Sequence, residues 1–354
     1  MKILVIGPSW VGDMVMSQSL YTELKRRNPA ATIDVLAPAW CKPILQRMPE
    51  VANAIEMPIG HGAFNLMGRW KIGRRLKKEG YTHAYVLPNS AKSALIPLFA
   101  SIPKRIGWKG EMRYGLLNDL RPDKRIFQYY VERFVALASK RDKMLDEVSL
   151  ETCPRPQLSI DKAIQQQALE KFQLTVQTAN QLTAGRTAIG MCPGAEFGPA
   201  KRWPDQYYAE VAQHIINNGQ QVWLFGSEKD REVTEKIKQS LTVEAQAHCF
   251  NLAGNTSLTE AVDLLAACDT VISNDSGLMH VSAAVGCKII AVYGSSSPDY
   301  TPPLSDDVSI IHTDIECRPC FKRECPLGHL NCLKQLPPQR IIDALKSTSC
   351  KVMT

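Results

Sequence analysis

An alternation of short apolar strands with amphipathic helices, which stops and later resumes, constrains the fold of this chain most strongly. A buried strand is predicted at Lys2–Ile6, a helix with apolar residues at helical spacing at Asp13–Arg27, and a second strand at Thr32–Leu36. The alternation fades between residues 140 and 185 and resumes with a strand at Thr187–Met191. Strands that alternate with helices form parallel sheets covered on both faces, so we predict two doubly wound α/β domains.

The remaining predicted elements follow the same order and set the expected domain limits. Further strands are predicted at Ala84–Leu87, Gln221–Phe225, Thr270–Ser273 and, as the last strand, Lys288–Tyr293, and further helices at Lys92–Ala100, Asp205–Asn217, Lys229–Ser240, Leu258–Ala267 and Ser276–Val285. We expect domains at 1–165 and 186–354, joined by a linker at 166–185. Doubly wound folds bind ligands outside the carboxyl ends of their strands, so we expect the two Rossmann-like domains to face a central crevice.

The sequence contains no evident targeting or membrane-spanning segment. The apolar start Ile3–Ile6 is too short for a signal-peptide core, and the run Ala94–Ile102 contains Pro97 and is too short to cross a bilayer. Eleven cysteines are an odd count for a secreted disulfide framework in a chain of 354 residues. We therefore expect a cytoplasmic protein whose cysteines are thiols or metal ligands.

Basic residues are concentrated in the N-terminal part of the chain. Residues 1–150 hold 24 Lys and Arg against 13 Asp and Glu, a formal charge of +11, whereas residues 151–354 carry a formal charge of −4. This imbalance predicts an anionic partner such as nucleic acid, acidic lipid or a phosphorylated sugar. For the run Arg69–Lys78 alone, a solvated helix face is the alternative explanation.

The loop after the first predicted strand, Gly7–Asp13, contains two glycines that let a backbone approach a ligand. It does not match the G-x-G-x-x-G pattern, which disfavours a nicotinamide dinucleotide. Asp13 has two interpretations, either a carboxylate that stabilises the helix start or a general base in the crevice. Helix N-terminal donors lower the pKa of a carboxylate, which weakens it as a base.

A second loop rich in glycine and proline, Cys192–Pro204, follows the strand at Thr187–Met191. It ends in Lys201 and Arg202 just before the next helix. Lysine supplies a point charge and arginine a planar fork for phosphate oxygens, so the loop predicts a phosphate site. A surface loop with solvated cations is the alternative.

The segment Ser273–His280 joins an apolar strand to a helix of small residues. Capping residues at this junction build a helix N-terminus whose backbone donors can bind a pyrophosphate. Ser276 and His280 are four residues apart, which puts them on one face of the first turn. A lone histidine is more often structural, but its place after capping residues favours a functional site.

Four cysteines, Cys317, Cys320, Cys325 and Cys332, lie within 16 residues, with His329 among them. Their spacing resembles a tetrahedral zinc site more than a disulfide set, although it matches no common zinc finger closely. An iron–sulfur cluster and metal-free thiols remain alternatives. We call residues 317–332 the Cys-rich segment and expect it to lie outside every phosphate motif, because it follows the last predicted strand.

Six segments resemble glycosyltransferase family 9 over nearly the whole chain. They are Met1–Asp13, Arg105–Gly115, Pro193–Pro204, Phe225–Ser227, Ser273–His280 and Tyr293–Asp299. The resemblance implies a GT-B fold, with the acceptor bound by residues 1–165 and a nucleotide sugar by residues 186–354. It implies inverting, metal-independent transfer of L-glycero-D-manno-heptose from ADP-heptose to the first heptose of the Kdo–lipid A inner core.

The resemblance also assigns roles to individual residues. It implies that Asp13 is the general base, and that donor phosphates meet Lys201, Asp275, Ser276, Gly277 and His280. Glu228 is a candidate for the ribose or adenine. Lys92, Arg105, Lys109 and Arg113 are candidates for contacts with the anionic acceptor, heptosyl-Kdo–lipid A. No catalytic metal is expected, whereas a structural zinc at the Cys-rich segment is.

Three alternatives stay open at this point. A nucleotide-sugar 2-epimerase of GT-B fold would release free sugar and need no lipid acceptor. Another heptosyltransferase of the family would use a different acceptor. A non-catalytic binder of nucleic acid or acidic membrane would explain the basic half but not the loops at Lys201 and Asp275–His280. We expect no nucleic-acid partner, and peripheral contact with the cytoplasmic face of the inner membrane.

Overall fold

The structure, a computed structural model, describes residues 1–60, 62–175 and 187–349. The chain divides into two compact units, Met1–Ser159 and Ile160–Thr354, here called the first and second units. Residues 176–185 of the predicted linker lie outside the described residues. Within the described residues, no helix has the length and apolar composition needed to cross a bilayer.

The first unit is built around a six-stranded sheet in the order β3-β2-β1-β4-β5-β6, in which every pair is parallel. Its strands are β1 (Lys2–Ile6), β2 (Thr32–Ala37), β3 (Val51–Glu56), β4 (His83–Val86), β5 (Lys104–Trp108) and β6 (Asp119–Arg121). Its helices are α1 (Val11–Arg27), α2 (Lys42–Leu45), α3 (Leu66–Leu76), α4 (Ala91–Phe99), α5 (Tyr130–Val135) and α6 (Met144–Glu147).

The central strand β1 explains the first sheet. Residues 3–6 are fully buried, and β1 pairs with β2 on one side and with β4 on the other. A strand buried on both faces loses apolar surface to water along its whole length, which is why it reads as an unbroken apolar run. Helix α1 covers one face and ends in Lys25, Arg26 and Arg27, whose charges suit the negative end of its dipole.

The second unit repeats this plan with the strand order β12-β11-β10-β7-β8-β9, again entirely parallel. Its strands are β7 (Ala188–Cys192), β8 (Gln221–Leu224), β9 (Cys249–Asn251), β10 (Thr270–Asn274), β11 (Lys288–Val292) and β12 (Val308–Ile311). Its helices are α7 (Lys162–Lys171), α8 (Asp205–Asn217), α9 (Arg231–Gln239), α10 (Val243–Gln246), α11 (Leu258–Leu265), α12 (Gly277–Ala284), α13 (Asn331–Lys334) and α14 (Pro338–Ser349).

Helix α7 belongs to the second unit, although residues 166–171 of it fall within the predicted linker. Asp161 caps α7 by accepting from the N–H groups of Ala163 and Ile164 at 3.0 and 3.1 Å. Its own N–H donates to Asp263 Oδ1 at 2.9 Å, and Gln165 Nε2 donates to the carbonyl of Asp263 at 2.6 Å. These bonds fix α7 on α11 and leave the buried Asp263 hydrogen-bonded.

The predicted α/β class with parallel sheets is confirmed. The strand Lys2–Ile6 and the helix Asp205–Asn217 lie where the sequence predicts them, and α1 begins two residues earlier than predicted. The prediction that Lys288–Tyr293 is the last strand is wrong, because Val308–Ile311 adds an edge strand beside it. That edge strand is only half-buried, so it lacks the continuous apolar run of a central strand.

Candidate active site

Each sheet reverses its strand order at one point, and the loops there are the natural ligand site of a doubly wound fold. In the first unit the reversal lies between β1 and β4, and in the second between β7 and β10. The loop after β1 leads into Asp13. The loops after β7 and β10 carry Lys201 and Asp275. The fold therefore delivers the predicted residues to the expected ends of the strands.

In the first unit, Asp13 is the third residue of α1 and is partly exposed. The loop before it is fixed by the segment after β2, because Trp40 Nε1 donates to the carbonyl of Ser9 at 2.8 Å. The Cys41 thiol donates to the same carbonyl at 3.6 Å. Burial raises the pKa of Cys41 to about 12, and the nearby Asp13 carboxylate adds to the rise. Cys41 is therefore a neutral neighbour of Asp13.

The four candidate acceptor residues have different surroundings. Lys92 Nζ donates to the carbonyl of Gly62 at 2.7 Å, and Lys109 is exposed with its ammonium 6.0 Å from the ring centre of Tyr114. Arg105 and Arg113 instead donate to backbone carbonyls of their own unit. Burial lowers the pKa of Arg113 to about 10. The two guanidinium groups thus brace the strand ends, whereas Lys109 points to solvent.

In the second unit, the buried Asn274 joins the loops after β7 and β10. Its Nδ2 donates to the carbonyl of Pro193 at 2.6 Å. Its Oδ1 accepts from the N–H of Trp203 at 3.2 Å and from the hydroxyl of Tyr208 at 3.1 Å. A buried amide with all these partners holds one loop geometry, since breaking any bond leaves a polar atom unsatisfied.

That geometry brings Lys201 and Asp275 together. Lys201 ends a short 3-10 turn, Pro199–Lys201, and its ammonium lies 2.5 Å from Asp275 Oδ2 and 5.0 Å from the ring centre of Phe197. Both side chains are largely buried, with 16% of Lys201 and 5% of Asp275 exposed. A buried pair of this kind persists because each charge compensates the other. Lys201 is thus held in place before any phosphate arrives.

His280 lies beside this pair, on the first turns of α12. Burial lowers the pKa of His280 to about 4, Asp275 opposes the shift and Lys201 adds to it. The imidazole is therefore neutral near pH 7 and carries one N–H donor. Lys201, Asp275 and His280 form one electrostatic group.

The start of α12 adds backbone donors to the same group. Ser276 is the N-cap, and its side chain makes no capping hydrogen bond within the described chain. The N–H of Asp275 is used by the carbonyl of Val292 at 3.1 Å, whereas the first turn, beginning at Gly277, leaves its N–H groups to outside acceptors. A helix N-terminus beside a fixed lysine is suited to an anion such as a diphosphate.

Glu228 follows β8, the second strand of its unit, where doubly wound folds place an acid against a ribose. Its side chain is exposed and lies 3.8 Å from Arg231. The turn is fixed by Asp230, which accepts from the N–H and the hydroxyl of Ser227 at 2.9 and 2.7 Å. The carboxylate of Glu228 is thus available at the end of a rigid turn.

The Cys-rich segment contacts the phosphate loop, so the prediction that it lies outside every phosphate motif is wrong. The carbonyl of Arg323 accepts from the N–H of Ala200 at 3.0 Å, and the N–H of Phe321 donates to the carbonyl of Ser295 at 2.7 Å. Arg318 donates to the carbonyls of Gly294 and Ser296 at 3.0 and 2.9 Å. Sequence reasoning missed these contacts, because they join positions about 25 to 120 residues apart.

Gly198 shows how tightly the Cys-rich segment fits. Its φ of +154° lies in the region that favours glycine, and a Cβ there would stand 2.5 Å from the carbonyl oxygen of Arg323. The next three residues form the turn that carries Lys201. The only signal available in the sequence was the position of Gly198 within a loop rich in glycine and proline.

The four thiols of the Cys-rich segment line one cavity together with His329, Ala200 and Ser295. Hydrogen bonds from the N–H groups of residues 327–330 lower the pKa of Cys325. Burial raises the pKa of Cys332, and the thiols of Cys317, Cys320 and Cys325 add to the rise. Within the described residues, no three Cys, His, Asp or Glu side chains are already arranged to hold a metal ion.

Comparison with known proteins assigns the family. Residues 69–331 match the model of glycosyltransferase family 9 (heptosyltransferase). The lipopolysaccharide heptosyltransferase 2 of Escherichia coli strain K12 is 50% identical over 98% of each chain, and the lipooligosaccharide heptosyltransferase 2 of Haemophilus influenzae is 55% identical over 88% of each. The structure of E. coli ADP-heptose LPS heptosyltransferase II superposes with a TM-score of 0.85, at 48% identity and full coverage of both chains. Its two Rossmann-like units thus form a GT-B glycosyltransferase, and the chain belongs to glycosyltransferase family 9, the heptosyltransferases.

Proposed function

We propose that this enzyme transfers L-glycero-D-manno-heptose from ADP-heptose to the first heptose of the Kdo–lipid A inner core, with inversion at the anomeric carbon. The observation that carries the proposal is identity of about half over nearly the whole chain to heptosyltransferases 2. The E. coli structure with full coverage is named for ADP-heptose. A 2-epimerase needs no lipid acceptor and explains neither this similarity nor the basic first unit.

The donor binds the second unit in this proposal. The diphosphate accepts from the N–H groups that begin at Gly277, and Lys201 and neutral His280 donate to its oxygens. Asp275 holds Lys201 in position rather than touching phosphate, since two anions at that distance would repel. Glu228 accepts from the ribose hydroxyls. These donors stabilise the charge that grows on ADP as it leaves.

The acceptor is activated in the first unit. The hydroxyl oxygen of the acceptor heptose forms a bond to C1 of the donor heptose, the bond between C1 and the phosphate oxygen breaks, and ADP leaves with that electron pair. Asp13 takes the proton from the attacking hydroxyl. Lys92 and Lys109 face the anionic acceptor, and Arg105 and Arg113 support them by bracing the strand ends.

No metal ion takes part in the transfer in this proposal, because Lys201, His280 and the α12 amides supply the positive charge. Transfer by fully reduced enzyme should therefore continue at an unchanged rate in EDTA. Loss of activity in EDTA, restored by a divalent cation, would contradict this part of the proposal.

We also propose that the four thiols of the Cys-rich segment bind one structural zinc ion. Support comes from the shared cavity and from the N–H groups that stabilise a thiolate at Cys325, since such bonds to a ligand atom favour metal sites. Metal binding requires the thiols to rotate towards one another, because they do not converge as they stand. Zinc would then fix the segment that holds the turn of Lys201.

One assay tests the transfer reaction. Purified protein is incubated with ADP-heptose and heptosyl-Kdo–lipid A, and the acceptor is weighed by mass spectrometry. The proposal predicts one added heptose per acceptor and one ADP released. Free sugar formed without acceptor would indicate an epimerase. Addition only to Kdo–lipid A, which lacks the first heptose, would indicate another heptosyltransferase of the family.

A further inference from the structure

The exposed apolar side chains of the first unit are unusually concentrated at one place. Phe64, Leu66, Met67 and Trp70 lie within seven residues, and each is between 45% and 61% exposed. Single exposed apolar residues are ordinary, whereas a contiguous group marks an interaction site. The group begins in the loop before α3 and continues along its first turns.

This loop is held in shape from inside. The buried Arg69 donates to the carbonyls of Phe64 at 2.6 Å and Ala63 at 2.9 Å, and Asn65 caps α3 by accepting from the N–H of Gly68 at 3.0 Å. A buried guanidinium is costly unless it is bonded, so breaking these bonds is unfavourable. The exposed ring of Phe64 therefore belongs to a fixed loop.

The rest of α3 continues this surface with positive charge. Lys71, Arg74, Arg75, Lys77 and Lys78 are all exposed. No acidic residue occurs between residues 57 and 78. These five cations have no ion pair among the described residues, whereas Lys229 and Lys236 of the second unit pair with glutamates at 2.6 and 2.7 Å. The charge along α3 is thus left available to an external anion.

A second loop borders the same place. Met112 and Tyr114 are 86% and 62% exposed, and their loop is tied to α4 because the N–H of Ala91 donates to Glu111 at 3.1 Å. The loop before α3 is tied to the next residue of α4, since Lys92 donates to Gly62. Both apolar groups therefore flank the N-terminal end of α4.

We propose that residues 62–78, with the loop 109–114, form a membrane-docking surface that binds an anionic phospholipid bilayer. The apolar side chains enter the boundary between headgroups and acyl chains, and the α3 cations meet lipid phosphates. A nucleic acid would engage the cations but leave Phe64, Met67 and Trp70 in water. The inference rests on the proposed function in one respect, because it explains how the enzyme reaches an acceptor anchored in a bilayer.

Vesicle sedimentation tests the membrane-docking surface directly. Wild-type protein should sediment with vesicles of phosphatidylcholine and phosphatidylglycerol, and at least tenfold less with phosphatidylcholine alone. The variants F64S/M67S/W70S and K71Q/R74Q/R75Q should each lose at least tenfold in partition to the anionic vesicles. V243S is the matched control, because Val243 is an apolar side chain of the second unit that is 81% exposed. Equal partition of wild type and both triple variants would overturn the proposal.

A second readout separates docking from catalysis and folding. F64S/M67S/W70S should transfer heptose at the wild-type rate to acceptor dissolved in detergent, and at least tenfold more slowly to acceptor embedded in anionic vesicles. Equal losses on both acceptors would mean that these residues serve the acceptor site or the fold, which overturns docking. Wild-type protein that binds vesicles but transfers no heptose to either acceptor would refute the proposed function and leave docking standing.

Discussion

The two units share one strand order but bind charge in opposite ways. Numbered from its own first strand, each sheet runs 3-2-1-4-5-6, and each places a loop of interest where that order reverses. In the second unit the lysine of that loop is buried against a carboxylate and a neutral histidine. In the first unit the surface cations along α3 stand without ion pairs among the described residues.

This difference teaches that topology fixes where ligands bind, and loops decide what is bound. A small number of buried, fixed donors suits one compact anion such as a diphosphate. A wide, exposed basic surface suits an extended anion such as a phosphorylated glycolipid in its membrane. If each unit has its own ligand, changes in one unit should alter one ligand and spare the other.

The largest expected effect is in the first unit. Asp13→Ala should lower kcat roughly 100- to 10,000-fold, because a general base contributes about that much. The affinity for ADP should stay within about twofold, since the donor site lies in the second unit. Asp123→Ala is the matched control, because it removes an exposed carboxylate of the same unit that is paired only with Arg125 in the printed contacts of the structure. A variant at Asp13 that kept more than a tenth of the wild-type kcat would break the assignment.

The next effect is in the second unit. Lys201→Ala should weaken ADP binding by about 1.5–3 kcal/mol, roughly 10- to 150-fold, as expected for a hydrogen bond to a charged group. Calorimetry measures it, with Lys229→Ala as the control for an exposed lysine. Because the change leaves Asp275 buried and unpaired, the double variant K201A/D275N should also be measured. Unchanged ADP affinity in both variants would place Lys201 outside the donor site.

His280 gives the second unit a pH dependence that the exposed cations of the first unit do not share. Its pKa is about 4 in the fold against an ordinary 6.5, so only the unfolded chain takes up this proton between these values. The free energy of unfolding should therefore fall as pH drops from about 6.5 to about 4, by on the order of 3 kcal/mol. Urea titration of wild type and His280→Gln measures the difference, with Asp275 and Lys201 as the charged neighbours. A difference that did not change with pH would contradict a buried neutral imidazole.

The smallest expected effect is at the Cys-rich segment. Anaerobically purified protein should contain close to one zinc per chain, and Cys320→Ser should lower that content and the melting temperature, by about 2–4 °C for each kcal/mol lost. Because the segment bonds to the loop of Lys201, ADP affinity should fall modestly too. Lys322→Ala, an exposed change in the same segment, should alter none of these. Zinc-free protein with four titratable thiols and unchanged melting would end the zinc proposal, and a brown chromophore would favour an iron–sulfur cluster.

The central strands could be predicted from the sequence because burial on both faces leaves a continuous apolar run, as in β1 and β10. The edge strands β3 and β12 could not, since both are partly exposed and mix polar with apolar residues. Strands β6 and β9 have three residues each, too few to show a period of two.

The candidate site follows the same division. Local motifs indicated Asp13, Lys201 and His280, because glycine, proline and capping residues mark loops and helix starts in the sequence. The ion pair of Lys201 with Asp275 could not be predicted, since it depends on β7 and β10 lying side by side. The contacts of Arg318 and Arg323 depend likewise on a chain path that no local pattern encodes.

Hydrogen exchange with and without saturating ADP tests the separation of the two ligands most directly. If the second unit alone binds the donor, amides of residues 197–202 and 275–281 should gain protection, because the diphosphate accepts from the start of α12. Peptides that cover residues 7–14 and 62–78 should exchange at unchanged rates. Protection confined to residues 7–14, with none at the start of α12, would contradict the account.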